Sequence, residues 1–214
     1  MRDLTDQFIA HNTKAASAAG IKVEDAEYLS PRSSGYNINA YEIRDRLVAQ
    51  PSAHTPNLAT YHDWVYEACR IAALIYTSAI IMRVPFSVAG HTTPPTTPDT
   101  GGHSSGSNLT EALYEALQHS DLANVWQNMA GVLYWVCAVG AAAARSPAAT
   151  NPTGESGSNT EADCTWVRRC LIMHATRTII ILIFRHPIPV IMAQKRLLNV
   201  QELLSSHDTR RASC

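Results

Sequence analysis

Strand-like alternation of apolar and polar residues is nearly missing from this 214-residue chain, which removes sheet-built folds from consideration. Charge is also scarce: Asp, Glu, Lys and Arg make up 16%, where soluble domains usually carry ~25%. Seventeen basic residues face eighteen acidic ones, for a net charge of -1 and a pI near 6.7. A free-standing basic nucleic-acid binder has a pI above about 9, so that class is excluded. Cysteine is sparse, and no two of Cys69, Cys137, Cys164, Cys170 and Cys214 stand as C-x-x-C. An odd, scattered set reads as reduced thiols of an intracellular protein, with Cys69 and Cys137 as small hydrophobes inside apolar runs. No apolar stretch follows Met1 and Arg2, so no secretory signal is read there. The glycosylation sequon at Asn108-Leu109-Thr110 is therefore expected to go unused.

Motifs that carry chemistry are missing as well. The nine histidines include no H-x-x-x-H, H-E-x-x-H or H-x-E pattern, and Cys164 and Cys170 have no second pair to complete a zinc set. Helical enzymes that hold Mg²⁺ and a diphosphate need clustered carboxylates. The nearest approach, Asp63 with Glu67, is read as lying on the wet side of its helix, with Glu67 and Arg70 as an ordinary surface pair. Glycine-rich phosphate loops are absent. Gly102-His103-Ser104-Ser105-Gly106 spells G-x-S-x-G, but no apolar strand precedes it, as a nucleophile elbow requires. It reads as linker. His174 falls on an apolar helix face and reads as a hydrogen-bonded core or boundary histidine. Trp64, Trp126, Trp135 and Trp166 fall in helical stripes and read as core, not as a base-stacking platform. Arg210-Arg211-Ala212-Ser213 has the form of a basophilic kinase site, a four-residue pattern common by chance.

What is present is apolar residue at helical period. Hydrophobic residues are 46% of the chain, enough for one domain with a real core. The expected fold is all-α: an irregular bundle of long buried helices with two flexible Pro/Gly/Ser-rich insertions. Residues 1–60 form a helical segment of the same domain, with helices over 4–19, ended by Gly20, and 41–49, stopped before Pro51. Residues 61–206 form the main helical domain. Tyr61, Trp64, Val65, Ala68, Ala72, Ile75, Ala79 and Met82 step along one stripe, Ile71, Leu74, Ile80 and Ile81 fill the far side, and Pro85 closes the helix. A helix apolar all round is an interior helix. The first insertion covers 91–108. Asn108 and Glu111 then form a capping box for a helix over 109–119. Ser120 or Asp121 caps the next, over 122–144, where Gly131 and Gly140 allow close approach of a neighbour. The second insertion covers 146–160. Val167, Cys170, Leu171, His174, Thr178 and Leu182 share a register in a helix over 166–184. His186-Pro187-Ile188-Pro189 breaks the chain, a last helix over 190–205 carries Lys195, Arg196 and Glu202 outward, and 207–214 is a loose tail.

A mean hydropathy of -0.10 is too polar for a protein built mainly of membrane helices. The best spanning candidate, 122–144, is uncharged, but Asn124, Gln127 and Asn128 give its first turns a polar face. The other apolar segments are bracketed by Arg70 and Arg83 or by Arg177 and Arg185. All read as buried core helices, with no membrane partner.

Three blocks carry a family resemblance: WVYEACRIAALIYTSAII from Trp64, LYEALQHSDLANVWQNMAGVLYWVCAVGAAAA from Leu113, and RRCLIMHATRTIIILIFRHPIPVIMAQKRLLNVQELL from Arg168. In order and spacing they resemble the C-terminal half of the fungal-specific transcription factor domain, the helical regulatory region that follows a Zn₂Cys₆ cluster. The similarity covers about two-thirds of the chain and lies in packing residues. The six closely spaced cysteines, the basic linker and the short dimerising coiled coil of that family have no counterpart here. The resemblance implies a nuclear, non-enzymatic regulatory module without its own DNA-binding motif, catalytic residue, metal or cofactor. Its implied partners are other transcription regulators or the transcription machinery, with a small-molecule effector as a further possibility and no direct DNA contact. A shortened regulator, a co-regulator paired with an intact factor, or a reading frame that begins too late all fit. The alternative class is an all-helical enzyme of small-molecule metabolism with an interior pocket, which a turnover dependent on His174 or Ser104 would identify. A membrane-associated helical protein is the third class.

Overall fold

Helices supply the regular structure of every described stretch, residues 1–18, 35–93, 108–145 and 158–212, in this computed structural model. They are α1 (Arg2–Ala18), α2 (Gly35–Ala49), α3 (Trp64–Met82), α4 (Phe86–Gly90), α5 (Leu109–His119), α6 (Ala130–Ala143), α7 (Ser158–Arg185) and α8 (Pro187–Ala212). No strand occurs among the described residues, and the fold is all-α. Gly20, residues 94–107 with Ser104, residues 146–157, Ser213 and Cys214 lie outside the described residues, as does most of each expected insertion.

The bundle is arranged around α3. Asp63 starts it by accepting the Tyr66 N–H at 2.9 Å, and every residue from Glu67 to Ile80 except Cys69 is buried. Arg83, not Pro85, ends it. Arg83 turns left-handed at φ 53°, and its N–H caps the Ala79 carbonyl, a conformation that costs a non-glycine residue about 1–2 kcal/mol. Within its first two turns, Glu67 and Arg70 overturn the expected surface pair. Their side chains are 3% and 5% exposed, with Arg70 Nη2 on Glu67 Oε1 at 2.6 Å and Nε on Oε2 at 3.0 Å. Glu67 also accepts from Ser52 Oγ at 3.0 Å and Ala53 N at 3.1 Å. Arg70 reaches the Leu47 carbonyl at 3.4 Å, and Tyr66 donates to Pro51 O at 2.9 Å. The pair therefore ties the α2–α3 connection down onto α3, a role that burial reveals and an i, i+3 spacing does not.

α1 and α2 join the same core. Leu4, Phe8 and Ala40 are buried in it. Thr5 Oγ1 and the Tyr76 hydroxyl are hydrogen-bonded at 2.7 Å, and Arg196 of α8 donates to Asp6 at 2.7 Å. The Asn108–Glu111 capping box forms as expected. The next helix does not begin at 122. Asp121 Oδ1 accepts from Ala123 N at 3.0 Å and Asn124 N at 3.2 Å, which closes turns instead of a helix. The Trp126 indole donates back to Ser120 Oγ at 3.1 Å and is buried. A 3₁₀ turn at Gln127–Met129 follows, and α6 starts only at Ala130.

α6 lies along α7. A Cβ on Gly140 would stand 2.9 Å from Leu113 Cδ2 and 3.1 Å from Leu171 Cδ1, so this glycine does set a close approach. Gly131 does not, for nothing lies within 4 Å of its missing Cβ. The short α4, unforeseen from the sequence, packs the same way: a Cβ on Gly90 would meet Thr110 Oγ1 at 2.5 Å and Ala143 Cβ at 2.7 Å. His186 alone separates α7 from α8, with Pro187 at the first helical position, where its missing N–H costs nothing. The tail expected to be loose is helical through Ala212.

Breaking the buried pair is the severe lesion in this fold. Glu67→Leu leaves Arg70 uncompensated and is expected to cost about 3–5 kcal/mol, while the double variant E67L/R70M recovers most of it, measured by urea unfolding at pH 7. Burial alone would raise the Glu67 pKa, but the Arg70 hydrogen bonds and charge, with Ala53 and Ser52, outweigh it and hold the carboxyl below its ordinary value. Its contribution is therefore complete above the unfolded pKa of about 4.3 and fades as pH falls below it. The E67L/R70M variant should lack that part of the acid sensitivity.

Candidate functional site

Reactive groups do not converge among the described residues. No three His, Cys, Asp or Glu side chains there stand close enough to share a metal ion. Cys69, Cys137, Cys164 and Cys170 form no disulfide. Burial pushes the Cys137 thiol up to about 12, and burial with the nearby Asp63 charge pushes Cys69 up to about 11. Neither is a thiolate at neutral pH. His174 is half-buried on α7, and burial, then the Arg177 charge, lowers its pKa. Asn108 of the sequon is occupied in capping α5.

The tryptophans divide. Trp126 is core. Trp135 is half-buried, 5.8 Å from the Tyr76 ring. Trp64 is half-buried too, stacked on His119 at 4.6 Å and met edge-on by His54 at 5.0 Å. Trp166, expected in the core, is 62% exposed.

Trp166 belongs to the largest departure from the expected buried helices. On α7, Val167, Leu171 and Thr178 are buried, with His174 and Leu182 half-buried beside them, and this side meets α6. Trp166, Met173, Ile180 and Phe184 follow one another at steps of seven, seven and four, which places them on a single stripe of the helix away from that buried side. All four are exposed, Met173 by 62% and Phe184 by 84%. Ile172, Ile181 and Ile183 widen the face, and Ile188, Ile191, Met192 and Leu198 continue it on α8, with Ile188 at 73%. α7 is thus apolar on two sides and covered on one.

The same stretch is basic. Residues 164–206 hold Arg168, Arg169, Arg177, Arg185, Lys195 and Arg196 against a single acid, Glu202, in a chain whose overall charge is -1. Arg169, Arg177, Arg185 and Lys195 are exposed, while Arg196 is engaged by Asp6. The sequence reading placed Val167 to Leu182 in one register and Trp166 in the core; the seven-residue spacing of Trp166, Met173 and Ile180 was the available signal for a second seam.

One described helix, Trp64–Met82, is long and apolar enough to cross a membrane, and 72% of its apolar window is buried inside the fold. Compared with known proteins, the chain matches no family model, no curated protein and no solved structure.

Cys69 and Cys137 are expected to resist iodoacetamide in the folded protein at pH 8 and to alkylate fully in 6–8 M urea, roughly the range that unfolds small domains, as read by peptide mass spectrometry.

Proposed function

We propose that this chain is a regulatory association module of transcription, of the fungal zinc-cluster factor type, that lacks its own DNA-reading element and acts by docking another protein on the outer face of α7 and α8. The observation that carries this reading is the exposed apolar seam from Trp166 to Leu198 set among exposed basic side chains. Contiguous exposed apolar surface of this kind marks an interaction site. A helical seam edged with arginine and lysine is complementary to an amphipathic segment that pairs apolar residues with Asp and Glu, the composition of many activation segments. Such a partner would bury Phe184, Ile180 and Met173 as anchors and meet Arg169, Arg177 and Lys195 at the rim. The resemblance of the three sequence blocks supplies the transcriptional context and a nuclear location. In this reading the chain carries out no reaction and touches no DNA.

Fused to a heterologous DNA-binding domain in a fungal reporter strain, the chain is expected to change reporter output. The variant I180S/F184S is expected to abolish that change while leaving helicity and abundance intact. Loss of two central anchors weakens docking by about 30-fold or more. A reporter unaffected by the fusion, or affected equally by the variant, would overturn the reading. So would tight binding of the purified chain to anionic lipid vesicles that I180S/F184S abolishes, since a basic apolar face also suits a membrane surface. In a gel-shift assay the purified chain is expected to show no sequence-selective DNA affinity.

A further inference from the structure

A cavity of about 230 Å³ opens where α4, α6, α7 and α8 meet, bordered by Ile172 at one edge of the exposed α7 face. Its apolar wall comes from Phe86 on α4, Ala138 and Ala142 on α6, and Leu204 on α8. Two cations face it, Arg145 just past the end of α6 and Arg168 on α7, with Gln201 and Ser87 as neutral hydrogen-bonding groups. Among the described residues, no acid lines it. Within this setting the Arg168 Nε is buried and has no hydrogen-bond partner among the described residues. Buried polar groups of folded proteins are nearly always satisfied, and a buried arginine nitrogen without a partner is a donor available to an anion.

We propose that this cavity binds a compact organic carboxylate, its carboxylate held by Arg168 and Arg145 and its apolar body against Phe86, Ala142 and Leu204. The planar guanidinium fork matches a carboxylate. Phe86, Ala142 and Leu204 add hydrocarbon to the lining, which suits a short aliphatic or aromatic acid better than an inorganic oxyanion. A volume below the ~300–1,000 Å³ of drug-sized ligand clefts limits the body to a small ring or a short chain. Because the lining comes from four helices, the bound acid would act as a clasp that holds α4, α6, α7 and α8 together. This inference rests on the cavity alone and stands or falls independently of the docking reading.

Thermal unfolding of the full chain against benzoate and hexanoate tests it. Either acid is expected to raise Tm in a saturable, dose-dependent way, by about 5–10 °C at roughly 100-fold over Kd for a chain of this size. Methyl benzoate, the same body without the charge, is expected to do nothing. Arg168→Met is expected to melt no lower than the wild type without ligand, since it removes the unpartnered nitrogen, and to weaken benzoate binding tenfold or more. Arg145→Gln is expected to weaken it less. Ala142→Leu, which fills the cavity while keeping both arginines, is expected to abolish the response, and the Arg168 Nε–H resonance is expected to shift on titration. The proposal is overturned by the absence of any carboxylate response, by a response that persists in both Arg168→Met and Ala142→Leu, or by an equal response to sulfate, which would leave the apolar wall without a role.

Discussion

The ion pair between Glu67 and Arg70 is the constraint on which the rest of this bundle hangs. α3 must be apolar on nearly every side to serve as the axis for its neighbours, and such a helix tolerates charge only where each charge is answered. Glu67 answers Arg70 with both carboxylate oxygens, and further lone pairs on the same two oxygens accept from Ser52 and Ala53. Arg70 donates through its other terminal nitrogen, Nη1, to the Leu47 carbonyl. A hydrophobic pair of equal volume would fill the space equally well, but it would leave the end of α2 and the turns before α3 without these tethers. The pair thus converts a non-directional collapse into a fixed registration of α2 on α3. α1 and α8 then close over the outside through Thr5–Tyr76 and Asp6–Arg196.

Around that axis, small residues decide how near the helices come. Gly140 lets Leu113 and Leu171 enter from two sides, and Gly90 lets Thr110 and Ala143 do the same for the short α4. The close pairing of α6 with α7 uses the room at Gly140, where Leu171 packs. It leaves the inner side of α7 committed and the outer side bare.

The sequence made much of this legible, and the exceptions share a cause. α3 and α5 could be located because their signals are local: Asn108 and Glu111 cap through groups three residues apart, and the α3 stripe repeats over five turns. The beginning of α6 could not, because Asp121 competes for the Ala123 and Asn124 amides and Trp126 folds back on Ser120. Both choices depend on where the indole finds its core. Periodicity located the Val167–Leu182 face of α7 and left the stripe from Trp166 to Phe184 unread, since coverage belongs to the neighbour and not to the helix. Glu67 and Arg70 looked like a solvated pair for the same reason. The cavity arginines were invisible in sequence: Arg145 and Arg168 become neighbours only because α6 and α7 pack side by side.

The two-sided character of α7 has a genetic consequence. Polar replacements at Val167 or Leu171 strike the side that builds the bundle, so such alleles should lower the amount of protein in the cell. Replacements at Met173, Ile180 or Phe184 strike the uncovered side and should leave the amount unchanged while altering what the molecule keeps company with. One helix thereby sorts its own mutations into two phenotypic classes, alternating along the chain with the helical repeat.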